Sequence, residues 1–138
     1  MLLVTYLLYL IYIYTIAQIE FYFYTNRLIS YNTRNAHLKL NLSRVPVFLM
    51  LFFLHLSYTG IYTSLLGSAS MILMFPFFHD GFLYQIYKKK TGGYPKGFWS
   101  DPSGYSKAKI NFKFLDRLCI FVWGLSGVII DITLYFIN

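Results

Sequence analysis

The sequence predicts an all-α integral membrane protein with four transmembrane helices and both termini on the non-cytoplasmic side. Three observations carry that expectation. Of the 138 residues, 57% are hydrophobic and only 12% charged, against about 45–50% and about 25% in ordinary soluble domains. The apolar residues fall in long runs and mean hydropathy is +0.52, so a bilayer supplies most of the apolar environment. Every Lys and Arg falls within residues 27–44 or 88–117, the clustering that the positive-inside rule produces between spans.

The first span covers 2–24. It has no charge before Glu20, is long enough to cross a core of about 30 Å at ~1.5 Å per residue, and ends in Phe21, Tyr22, Phe23 and Tyr24, an interfacial belt. The first positive charge is Arg27, so the basic start of a secretory signal is missing and the span is expected to be retained. Residues 25–44 form a polar loop with Arg27, Arg34, Lys39 and Arg44, after which Ser43 can cap a helix that has Pro46 in its first turn.

Residues 45–87 are almost continuously apolar, about twice the length one bilayer needs, so two spans share them: 45–63 and 66–87. The break belongs near 58–70, where Gly60, Gly67 and Ser68 cluster, and the small side chains of 67–70 let helices pack closely. The second loop, 88–113, contains the turn signals Thr91-Gly92-Gly93-Tyr94-Pro95 and Asp101-Pro102-Ser103-Gly104. Lys107, Lys109 and Lys113 then alternate with apolar residues at a period of two, an extended pattern. With Lys88, Lys89 and Lys90 they are the expected contacts to anionic lipids. The fourth span, 114–137, opens on Asp116 and Arg117 and carries Gly124, Gly127 and Asp131. The whole chain, 1–138, reads as one membrane domain.

Both cation-rich loops belong in the cytoplasm. Glu20, Arg44, His79, Asp80, Asp116 and Arg117 then share one membrane level, and His37 can fold back to join them. Two readings of this level stand. Glu20, His37, His79 and Asp80 could converge on a divalent metal, with zinc, iron or manganese suited to a mixed His and carboxylate set, or handle protons. Alternatively the carboxylates neutralise Arg44, Arg117 and the lysines, with Asp116 part of the same pairing, which is the reading the surplus of cations favours. Adjacent helical residues point about 100° apart, so His79 and Asp80 aim at one centre only if the helix ends there, as Gly81 would allow.

Asp131, about 21 Å beyond Arg117 along a helix, lies too far out to join that level, and an interfacial position and an interhelical hydrogen bond are both open to it. His55, about 15 Å into a span that starts at Val45, sits nearer the bilayer middle and is expected to bond a neighbouring helix. The tyrosines of the first span, Tyr6, Tyr9, Tyr12 and Tyr14, read as packing and anchoring rather than as a quinone or lipid site. The lone Cys119 permits no intrachain disulfide and reads as a buried structural thiol.

Several functions are excluded. The net charge of +7 lacks the basic helix or aromatic motif of a nucleic-acid binder. Residues 92–97 lack the spacing and the hydroxyl residue of a Walker loop, and the chain has no nucleophile elbow or Cys–His pairing.

The run FFHDGFLYQIYKKK, then YPKGFWSDPSGYSKAKINF and the fourth span, resembles a group of small multi-pass membrane proteins of Bacteroidota and their phages. The resemblance covers roughly 75–124, and Glu20 and His37 fit it. It implies a bacterial inner membrane or a phage-derived setting, and it transfers no activity. The leading expectation is thus a non-enzymatic multi-pass inner-membrane protein, phage- or prophage-associated, acting through helix association, a homo-oligomer or a membrane partner. The alternatives are a metal or proton site at the cytoplasmic face, serving an enzyme or carrier, and an accessory subunit of a larger complex.

Overall fold

In a computed structural model, which describes residues 2–26, 34–92 and 114–137, with the side chains of 24, 34–41 and 114 left aside, the chain forms four helices. They are α1 (Leu2–Thr25), α2 (Arg34–Leu56), α3 (Ile61–Thr91) and α4 (Phe114–Ile137). α1, α3 and α4 are long and apolar enough to cross a membrane, whereas the apolar part of α2 is the shorter Leu42–Leu56, about 22 Å at ~1.5 Å per residue. Leu3, Leu7, Met50, Phe53, Trp123 and Phe136 all face outward, which suits lipid and would be costly in water.

Three boundaries differ from the sequence expectation. α2 begins at Arg34 rather than after Ser43, so Pro46 lies inside the helix. A proline removes one backbone donor, a loss that helix packing in a membrane tolerates. The second span is expected to run to residue 63, but α2 ends at Leu56, because Tyr58 and Thr59 both donate backbone N–H bonds to the His55 carbonyl at 3.1 Å. Ser57, Thr59, Thr63 and Ser64 then satisfy carbonyls at the two helix ends through their hydroxyls, so this turn needs no further chain. Finally, α3 runs over Ile61–Thr91, wider than the 66–87 expected, and passes through Gly81 without a break. The helix continues to Gly92, whose φ of 77° supplies the left-handed closing residue. Lys88, Lys89 and Lys90 are therefore helical and exposed in the last turn, where the helix dipole favours cations.

The most extensive helix contact is α3 against α4, followed by α1 against α3. Small residues make it close. A Cβ on Gly124 would lie 2.8 Å from the Ser70 carbonyl oxygen, and one on Gly127 would strike the Ser70 hydroxyl, as expected where backbones rather than side chains meet. The middle of the bundle is apolar, built on Tyr9, Ile13, Leu51, Met71, Met74, Phe75 and Val128. Ala17, Phe21, Leu83, Ile86 and Tyr87 form a second cluster between α1 and α3. Cys119 is exposed on α4, contrary to the buried thiol expected, because α4 turns that position away from α3.

Candidate functional site

Polar groups at membrane depth need partners, and here they gather at two levels of the bundle. The first joins all four helices. Glu20 of α1, only 3% exposed, forms an ion pair with Arg44 of α2 and lies 3.2 Å from His79 Nε2 of α3. His79 Nδ1 is 3.0 Å from Asp80 Oδ1, and Arg117 Nε of α4 is 3.0 Å from Asp80 Oδ2. Arg44, Glu20, His79, Asp80 and Arg117 thus form one chain of contacts. Phe75 supports it from one turn away on α3: its ring stacks on His79 with centroids 5.0 Å apart, and the Arg44 guanidinium sits 4.6 Å from its centroid.

Of the four residues expected as metal ligands, Glu20, His79 and Asp80 come together, and His37 lies outside the described side chains. His79 and Asp80 touch although α3 continues past them, since their side chains reach across the 100° between them. The histidine has a carboxylate oxygen near each ring nitrogen, with hydrogen-bond geometry at Nδ1 to Asp80 and a 3.2 Å ionic contact at Nε2 to Glu20. Among the described residues no group of three or more His, Cys, Asp or Glu is arranged to hold a metal ion. Arg44 pairs with Glu20 and Arg117 with Asp80; Asp116 lies in the first turn of α4. Lys107, Lys109 and Lys113 lie outside the described residues.

The second level is one the sequence reading did not assemble. Tyr6 OH donates to Asp131 Oδ2 at 2.6 Å, and His55 Nε2 lies 3.1 Å from Oδ2 and 3.3 Å from Oδ1. The Tyr6 and His55 rings meet edge to face, with centroids 5.9 Å apart. His55 and Asp131 are both completely buried. α3 contributes only space: a Cβ on Gly67 would lie 2.6 Å from His55 Cε1 and 3.1 Å from the Tyr6 hydroxyl. Asp131 therefore makes the interhelical bond rather than lying at the interface.

The neighbouring tyrosines divide. Tyr9 OH donates to the Met71 carbonyl at 2.5 Å, and Tyr12 packs edge-on against Phe48. Tyr14 is exposed and edge-on to Phe82. Tyr6 and Glu20 are about 21 Å apart along α1 at ~1.5 Å per residue, so the two polar levels stand near opposite ends of the apolar middle.

The chain matches no family model, no curated protein and no solved structure.

Proposed function

We propose that the chain is a small, non-enzymatic, multi-pass protein of a cell inner membrane that acts by associating with another membrane component. The observation that carries this reading is the contact chain Arg44–Glu20–His79–Asp80–Arg117. The side chains with ligand or acid–base chemistry at that level are bound to one another and to two arginines, which supports a lock between helices over a reaction centre. What the lock leaves at that end is the exposed triplet Lys88–Lys90, suited to anionic headgroups.

A four-span arrangement is supported by α2 itself, which reaches both polar levels, through Arg44 at one and His55 at the other. The charge distribution favours cytoplasmic loops and external termini. The resemblance of 75–124 to Bacteroidota and phage membrane proteins favours a bacterial inner membrane, phage-associated or not, and allows a place as accessory subunit in a larger complex.

The test uses a Cys119→Ser background with a single cysteine at Gly97 or at Asn138, labelled from either side of the membrane with an impermeant reagent. Labelling of Gly97 from outside overturns the orientation. Stoichiometric metal on the purified protein, lost with His79→Ala, overturns the lock and replaces it with a metal site.

A further inference from the structure

We infer that the cleft between the α2–α3 turn and the last turns of α4 binds the ammonium group of an ethanolamine-type lipid headgroup. The cleft has a volume of about 690 Å³, and its walls among the described residues include Ser57, Tyr58, Tyr62, Thr63 and Tyr135. Small-molecule sites are of this size. The sequence has no Lys or Arg in 1–26, 45–87 or 118–138, so an anionic group entering here meets no side-chain counter-charge from Lys or Arg. The acidic residue at this end is Asp131, one turn before Tyr135 on α4.

The lining favours a cation that donates hydrogen bonds. Ser57 Oγ donates to the Leu54 carbonyl at 2.6 Å, and Thr63 Oγ1 donates to the Gly60 carbonyl at 2.7 Å. Each hydroxyl thus has its hydrogen engaged and keeps lone pairs for a ligand. Tyr58, Tyr62 and Tyr135 add aromatic rings, whose faces attract cations. A primary ammonium brings a positive charge and three N–H donors and so uses both features, whereas a trimethylammonium group uses the rings alone. The turn also sets the end of α2 at Leu56 beside the start of α3 at Ile61, and these opposite dipole ends suit a headgroup that carries both an ammonium and a phosphate.

The surroundings make the carrier of that ammonium a lipid. Tyr62 is 85% exposed, and its neighbour Ile61 and the neighbour of Tyr135, Phe136, face outward, so acyl chains have apolar surface on α3 and α4 while the headgroup sits at the turn. Tyrosines at a membrane interface also serve as general anchors, but here three of them line one cleft together with hydroxyls. The exposed Lys88–Lys90 triplet stands at the opposite end of α3, so the two ends of the bundle sort headgroups by charge.

The test is native mass spectrometry of the full chain in detergent micelles offered equal amounts of short-chain phosphatidylethanolamine, phosphatidylcholine and phosphatidylglycerol. Phosphatidylethanolamine is expected to be retained about fivefold over phosphatidylcholine. Ser57→Ala combined with Thr63→Val removes two acceptors and should reduce that preference to about twofold or less. Tyr62→Ala alters an exposed side chain and should weaken retention of phosphatidylethanolamine about two- to fivefold, with phosphatidylglycerol unaffected; it carries the test if the double variant loses its helix content by circular dichroism. Equal retention of the ethanolamine and choline lipids overturns the inference, as does retention of phosphatidylethanolamine that is unchanged in the variants. Displacement of the lipid by an equal concentration of soluble ethanolamine overturns the lipid as carrier. The comparison is independent of membrane orientation, so its failure leaves the proposed lock untouched.

Discussion

Gly67 is the position where one added carbon tests the packing of the whole Tyr6–His55–Asp131 level. In Gly67→Ala the new Cβ would stand 2.6 Å from His55 Cε1 and 3.0 Å from Nε2, about 1 Å inside the optimal carbon–carbon separation. The histidine has nowhere to retreat, since it is completely buried and lies 3.1 Å from Asp131. Moving it outward by that 1 Å would break the contact to the carboxylate. Overpacking of this kind costs about 1–3 kcal/mol, and weakening a hydrogen bond to a charged group adds roughly 1–2 kcal/mol. The expected loss is thus on the order of 2–4 kcal/mol.

Reversible unfolding in mixed micelles followed by circular dichroism measures it. Gly60→Ala is the control, because its Cβ meets nothing nearer than 3.9 Å and the change costs only about 1 kcal/mol or less as a weaker N-cap. Equal stability of the two variants would refute the packing argument. So would the absence of relief when His55→Ala is combined with Gly67→Ala, since residues in contact must couple.

Four further outcomes are expected. Glu20→Gln should destabilise the bundle by about 3–5 kcal/mol because it removes the buried carboxylate, 3% exposed, that Arg44 and His79 share. Asp80→Asn should cost roughly 1 kcal/mol or less, its side chain being 30% exposed; the same unfolding assay ranks them. Gly92→Ala, forced into a left-handed conformation at φ 77°, should lose about 1–2 kcal/mol locally, seen as faster amide exchange over 88–91 with the rest of α3 unchanged. Replacing Lys88, Lys89 and Lys90 by Gln should weaken retention of anionic over zwitterionic lipid in nanodiscs by about 1 kcal/mol per lysine.

The helices were readable because a bilayer imposes a length, and uncharged runs of that length can be counted along the chain. The shared level of Glu20, Arg44, His79, Asp80 and Arg117 was readable too, because the basic segments fix which helix ends lie together. Individual pairings were not, since rotation about a helix axis decides them and no charge pattern records it. The Tyr6–His55–Asp131 level was not legible for one definite reason. Extending the second span to residue 63 put His55 near the bilayer middle, whereas α2 stops at Leu56 and His55 is one residue from its end. With that boundary, Tyr6, His55 and Asp131 all lie within two turns of the same end of the bundle. The hydroxyl-rich run Ser57–Tyr58–Thr59–Gly60 was the available signal. The outward-facing Cys119 shows the same limit, because an apolar run states that a residue is in the membrane and not which way it faces.

α4 supplies Arg117 to one polar level and Asp131 to the other, and it is the last of the four helices to leave the ribosome. Until it arrives, Tyr6 and His55 lack Asp131, and Asp80 has His79 on its own helix but not Arg117. Its own aspartate likewise enters the lipid uncompensated. Docking of α4 brings Arg117 to Asp80 and Asp131 to Tyr6 and His55 in one event, so completion of the bundle and pairing of these two carboxylates coincide.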